Sequence, residues 1–297
     1  MATGLNKRMV QVAEFEEKTY ENFFGSEVVR LVRDHFSPGQ IDESTLGFDG
    51  SFFIPFFCRN IHFSRLFPRW LGRFPGIILS DLDYITDVID RDLPQHRLNL
   101  FVQYKRPEYV LGHRAAEWNC WQRPYFRYAL TDHQQKALER LEQESNGRAA
   151  VVYASPAFWK SSELYERARF RRVVADSNIA QVSAMTGHSK FTYTNSGAAG
   201  IAHSEPEQVN GLSLQEILNR GLKNEKLPLT AHIIATSKAI QSVFENDDIG
   251  MQLLESAKAA ELYNSGLDEE SLSEQFVKAL ATIAAFTNVT NVQLYLA

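Results

Sequence analysis

Two short segments combine residue types that folding alone does not require. Leu46-Gly47-Phe48-Asp49-Gly50 holds an aspartate beside apolar neighbours, and Leu100-Phe101-Val102-Gln103-Tyr104-Lys105-Arg106-Pro107 holds an amide and a lysine in a strand-like run. A lysine inside a hydrophobic strand costs free energy unless it is paired or open to a cleft. Residues 103 and 105 differ by two, so on a strand both side chains point to one face. Asp49 would offer a carboxylate, Gln103 an amide oxygen and Tyr104 a backbone carbonyl. Such oxygens suit a hard divalent cation, Mg²⁺ or Mn²⁺ in its place, that keeps several of its waters. Lys105 would orient or deprotonate an attacking water, or neutralise charge on phosphoryl oxygens. The chemistry expected is metal-assisted hydrolysis of a phosphodiester.

Those groups meet only if the strands carrying Asp49 and Lys105 are adjacent. The spacing predicts a helix from about Val10 to His35, with Tyr20, Phe24, Val28, Leu31 and Val32 on one face at a 3.6 period. Glu17 and Glu21 extend that face toward its start, and Ser37-Pro38-Gly39 stops it. Thr45 to Phe57 reads as a strand, with Pro55 at an edge or end. Residues 59–97, interrupted by Pro68, Gly72, Pro75, Gly76 and Pro94, read as an insertion with a short helix over 78–89. Leu98 to Lys105 is the next strand. Thr131 or Asp132 would cap a helix to about Ser145, with Leu138 and Leu141 inward and Asn146-Gly147 closing it. Ala149 to Ala154 reads as a short buried strand stopped by Ser155-Pro156. Helices packed on a mixed sheet, an α/β core, follow from this order.

Residues 187–207 read as loop-rich. From Ser213 the character changes: Ser213-Leu214-Gln215-Glu216 fits a capping box, and helical periodicity runs to about Phe286, including Leu253, Leu254, Ala257 and Ala260. This predicts three or four helices with no catalytic constellation.

The 297 residues suffice for one large domain or two ordinary ones, and 44% hydrophobic content is enough for a core. Cys58 and Cys120 cannot form a disulfide framework and lack metal-site spacing, so a reducing, cytoplasmic setting is expected. No apolar run reaches the length of a spanning helix. The net charge is −5, and from Ser213 onward acids outnumber bases 11 to 6, leaving the first 212 residues neutral overall. Local patches decide attraction to phosphates. Arg59, Arg65, Arg69 and Arg73 form one, in a stretch free of acids, and Arg167, Arg169, Arg171 and Arg172 form another.

Gly-x-Asp on one strand followed by Gln103-x-Lys105 on the next resembles the PD-(D/E)XK superfamily, the restriction-endonuclease-like fold, in its branch with Gln before the lysine. The resemblance covers about residues 10–155. It implies a mixed sheet flanked by helices, with an N-terminal helix glutamate, Glu17 or Glu21, joining Asp49, Gln103 and Tyr104 at the metal. Tyr125-Phe126-Arg127, His133-Gln134 and Ala150 to Ala154 resemble the segments that complete such a core. On this reading residues 1–211 are the nuclease domain with an insertion over about 58–97. Residues 212–297 are a helical region for self-association or docking on a partner protein. The implied activity is Mg²⁺-dependent cleavage of DNA, with nothing to distinguish RNA, in a bacterial restriction or antiviral-defence effector. The alternative is an inactive nuclease-fold protein that binds nucleic acid or scaffolds a complex.

The 53 residues between Asp49 and Gln103 are more than compact members carry, which makes Asp81 and Asp83 rivals to Asp49, although both fall in a helical pattern. His188 and His203, with Tyr193, Ser204 and Glu205 nearby, are a weaker candidate pair without ligand spacing. Trp118, Trp121, Tyr125 and Phe126 are expected to pack under the sheet rather than stack on bases. Phosphate loops of the Walker type and dinucleotide fingerprints are absent.

Overall fold

The computed structural model describes residues 10–31, 34–36, 86–87, 90–91, 95–245, 250–252, 254–255 and 271–297. The chain is mixed α/β, with two sheets flanked by helices. It divides into two compact units, one of Met1–Val32, Leu100–Glu142 and Ala150–Arg220, the other of Arg33–Asn99, Gln143–Ala149 and Gly221–Ala297.

In the first unit, six strands form an antiparallel sheet in the order β1-β4-β5-β8-β9-β10. They are β1 (Val10–Val12), β4 (Glu108–Val110), β5 (Tyr125–Ala129), β8 (Lys190–Tyr193), β9 (Ala199–His203) and β10 (Glu207–Asn210). Alternation gives this sheet two unlike faces. Tyr109, Phe126 and Tyr193 stand in cross-strand register on one of them. Their ring centres are 4.8 and 5.4 Å apart, an aromatic ladder of the kind that fixes sheet register. Gly200 on β9 leaves room for the Phe191 ring, because a Cβ there would come within 2.2 Å of it.

The other sheet contributes to this unit β3 (Asn99–Tyr104), β6 (Ala149–Pro156) and β7 (Ser177–Gln181), in that order. The Lys105 N–H donates to the Ala154 carbonyl at 3.0 Å, so β3 and β6 remain bonded to their ends. β6 and β7 are antiparallel. Every residue of β3 and β6 is buried, as expected for strands covered on both faces. Tyr128 of the first sheet meets Tyr153 of β6 at 5.9 Å, closing the core between the layers.

Five helices are described in this unit. α1 (Glu17–Val28) buries Tyr20, Glu21, Phe24, Gly25 and Val28. The expected helix over 10–35 is shorter at both ends. Val10-Gln11-Val12 pairs with β4 as a strand, a better use of two β-branched residues than a helix start. Leu31 is 51% exposed, so the apolar stripe stops at Val28, and residues 34–36 are strand. Short α2 (Trp118–Trp121) lies before β5. α3 (Asp132–Glu144) matches expectation, with Leu138 and Leu141 fully buried. Asn146 and Gly147 end it in the left-handed region, at φ 48° and 78°. α4 (Ser161–Arg169) follows β6, and α5 (Leu214–Gly221) follows β10. The capping box before α5 is present: Ser213 N–H donates to Glu216 Oε2 at 2.8 Å, and Glu216 N–H donates to Ser213 Oγ at 3.3 Å.

The loop-rich expectation for 187–207 is corrected. Lys190–Tyr193 and Ala199–His203 form a hairpin, with β10 added at its edge. Frequent Ser, Thr and Gly there reflect short strands with tight turns, including Gly197 at φ 107°. Ser155-Pro156, expected to stop a strand, extends β6 to its pairing with Ser177.

In the second unit α6 (Leu229–Val243) packs along α7 (Leu272–Thr290), and Phe244 meets Phe286 at 6.0 Å. β2 (Asp34–Phe36) pairs antiparallel with β11 (Val292–Leu296), a strand the helical reading of the C-terminal region missed. His232 Nε2 bonds Asn99 Oδ1 at 2.9 Å, and Asn99 Nδ2 donates to Thr236 Oγ1 at 2.8 Å. Burial, then the neighbouring His96, lowers the His232 imidazole to about 3, so it is neutral. No helix among the described residues is long and apolar enough to cross a membrane.

Candidate active site at the end of strand β3

Strand alternation delivers Gln103 and Lys105 to one face, while Tyr104 packs on the other against Tyr20 and Phe24 of α1, at 5.8 and 5.4 Å. α3 covers the Gln103 face. There Lys105 Nζ donates to Gln134 Oε1 at 3.1 Å, and Gln134 Nε2 donates to Gln103 Oε1 at 2.8 Å. The Gln103 Nε2 group in turn donates to the Tyr104 carbonyl at 3.3 Å. Lys105 lies one residue past the strand and is half-buried, with Nζ 5.2 Å from the centre of the Tyr153 ring. Its backbone is held on both sides of the residue, because the Ser155 hydroxyl donates to its carbonyl at 3.0 Å.

Glu17 approaches from α1. Burial pushes its carboxyl up, against the pull of the Lys105 ammonium and the Arg106 N–H, with a further upward push from Glu21. Burial pushes Lys105 down from the usual lysine range, against the attraction of Glu17. Burial thus disfavours the charge on both groups, while each favours the charge on the other. Glu21, four residues on and 3% exposed, accepts from Lys18 Nζ at 2.5 Å.

The structure therefore places Lys105 near Glu17, with Glu21 beside Glu17, and links Lys105 to Gln103 through Gln134. Asp49 lies outside the described residues, as do Asp81, Asp83, Cys58 and the arginines at 59, 65, 69 and 73. Among the described residues no group of three or more His, Cys, Asp or Glu could hold a metal. By type, the Glu17 and Glu21 carboxylates, the Gln103 amide oxygen and the Tyr104 carbonyl are hard oxygens of the kind Mg²⁺ takes, but Gln103 Oε1 and the Tyr104 carbonyl already accept hydrogen bonds at 2.8 and 3.3 Å. The position that motif reading undervalued is Gln134, whose amide links the two key side chains of β3. His133-Gln134 at the start of an amphipathic helix was the available signal.

A second polar cluster lies on the outer face of the antiparallel sheet. Glu117, 5% exposed, accepts from Tyr125 Oη at 2.7 Å and from Lys190 Nζ, and lies 3.3 Å from Arg127 Nη1. Burial alone would raise its carboxyl, but the bonds from Lys190 and Tyr125 win and bring it to about 2. Such a fully satisfied network fixes α2 against the sheet. Trp121 Nε1 donates to Thr192 Oγ1 at 3.0 Å in the same layer; Tyr125 and Phe126 are buried as expected, whereas Trp118 and Trp121 are only half-buried. His203 Nε2 bonds Thr192 Oγ1 at 2.9 Å. His188 Nε2 lies 3.4 Å from Glu207 Oε2, and with Ser204 and Glu205 it lines an open recess.

Comparison with family models, with curated proteins and with solved structures finds no match.

Proposed function

We propose that the protein is a metal-dependent nuclease that hydrolyses DNA phosphodiester bonds, built on a restriction-endonuclease-like core. The supporting observation is Lys105, a half-buried ammonium between Glu17 and Gln134, sharing a strand face with Gln103. Bound Mg²⁺ supplies polarisation of the phosphoryl oxygen and stabilises the departing oxygen. Glu17, Glu21, the Gln103 amide oxygen and the Tyr104 carbonyl would hold it, with Asp49 the further ligand expected from the sequence. Lys105 positions the attacking water or takes its proton, and Gln134 orients the lysine. The helices after residue 212 serve self-association or docking on a partner, and RNA shares the same phosphodiester chemistry. A cytoplasmic role in bacterial restriction or antiviral defence rests on fold analogy.

One observation favours the alternative, an inactive fold that binds nucleic acid: Gln103 Oε1 is already taken by Gln134 Nε2. Incubating supercoiled plasmid with the protein and Mg²⁺, with EDTA as control and Lys105→Ala alongside, separates the two. The nuclease reading expects nicking or linearisation that EDTA and the substitution both abolish. Cleavage that survives Lys105→Ala, or plasmid bound but intact in Mg²⁺, overturns it.

A further inference from the structure

We propose that the end of α4 and the turn after it form a binding surface for an unpaired stretch of nucleic acid. Tyr165 and Arg169 are four residues apart on α4 and so are neighbours on its surface. Tyr165 is 59% and Phe170 63% exposed, and the Arg169 guanidinium lies 5.7 Å from the centre of the Phe170 ring. Arg167 and Arg172 are both tied to Asp176, at 3.0 and 2.9 Å. Arg169 and Arg171 have no such ion pair among the described residues and stand beside two open rings, while the Glu27 carboxylate is occupied by the Val173 and Val174 N–H groups at 3.0 Å. Glu166 is the only acid between Tyr165 and Arg171. Arg171 sits at φ 55°, where a residue with a Cβ is disfavoured, so a long cation stands at a turn better suited to glycine or asparagine.

Interleaved arginines and exposed aromatic rings are what an unpaired strand needs, with cations for its phosphates and ring faces for its bases. A duplex hides its base faces, so the rings favour the single-stranded form. Tyr165 meets Phe23 of α1 edge-on at 5.7 Å. Phe23 is six residues beyond Glu17, about 9 Å along the helix axis. The surface and the Lys105 site both adjoin α1, so one strand serving both would run along that helix. That continuity rests on the nuclease reading, whereas binding at the surface does not.

The test is fluorescence anisotropy of the full chain with a labelled oligothymidine and with a hairpin duplex, in EDTA so that nothing is cut. Phe170→Ala is expected to weaken oligothymidine binding about tenfold while leaving the duplex nearly unaffected. Arg169→Ala with Arg171→Ala is expected to lower the slope of log affinity against log salt by roughly 1.4, the loss of two phosphate contacts. Thermal melts of each variant at the wild-type temperature exclude unfolding. Affinities unchanged in all variants, a wild-type preference for the duplex, or altered sedimentation in place of altered DNA binding would each overturn the proposal. If plasmid is never cut but these variants lose oligothymidine, the nuclease reading fails and the surface stands. If cutting depends on Lys105 but the variants bind normally, the surface fails and the nuclease stands.

Discussion

The Glu17 carboxyl and the Lys105 ammonium attract each other at the end of β3, while burial opposes the charge on both. Their contributions to stability have opposite slopes with pH. The folded protein holds the Glu17 proton after the unfolded chain has lost it, so this group lowers stability as pH rises above 4.5 toward its raised folded value. The folded protein releases the Lys105 proton first, so that group raises stability as pH climbs from its lowered value to 10.5. Glu17→Gln should flatten the first of these slopes and push the Lys105 ammonium still lower. Urea unfolding across pH, with NMR titration of the lysine, reads both changes. A lysine that titrates identically in the variant would show that the two groups are not coupled.

Gln134→Leu should lower the cleavage rate about tenfold, the lower end for losing a partner that orients a functional side chain. The lysine loses its Gln134 acceptor, so its charged form is less favoured and the limb of the rate profile that reports Lys105 should move to lower pH. Gln134→Glu restores an acceptor and should move that limb back. A rate that falls with no movement of the limb would indicate a purely structural role.

Glu117 predicts acid sensitivity elsewhere in the unit. Its carboxyl is held at about 2, below the ordinary 4.5, so the stability it provides is present above 4.5 and is lost as pH falls between those values. Glu117→Gln should cost about 2 kcal/mol at neutral pH, because Lys190 loses its charged partner and Arg127 keeps only Glu108. The gap between variant and wild type should close as pH approaches 2. Equal melting temperatures at pH 7 would refute this account.

Ser213→Ala removes the hydroxyl that accepts from the Glu216 N–H and should cost about 1 kcal/mol. Ser213→Asn should recover most of it. Denaturant unfolding measures both.

Where one local rule decides the outcome, the sequence was legible. Leu138 and Leu141 lie inward on α3, Asn146-Gly147 terminates it, and the Ser213–Glu216 box opens α5, because periodicity and capping act within a few residues. Gln103 and Lys105 share a face for the same reason, since strand alternation is local. The pairing of Val10–Val12 with β4 was not legible: the same residues fit a helical stripe until an edge strand nearly a hundred positions away is available to pair with them. The hairpin over 190–203 was obscured by polar residues on its outer face.

Sequence alone determined that a lysine and a glutamine would stand together on a buried strand and that an acidic helix would precede them. It could not determine which groups would close on that pair. Only tertiary packing decided that α3 places Gln134 between them and that α1 brings Glu17 to Lys105. Burial and long-range contact set the protonation of these groups, and neither is encoded in any short run of residues.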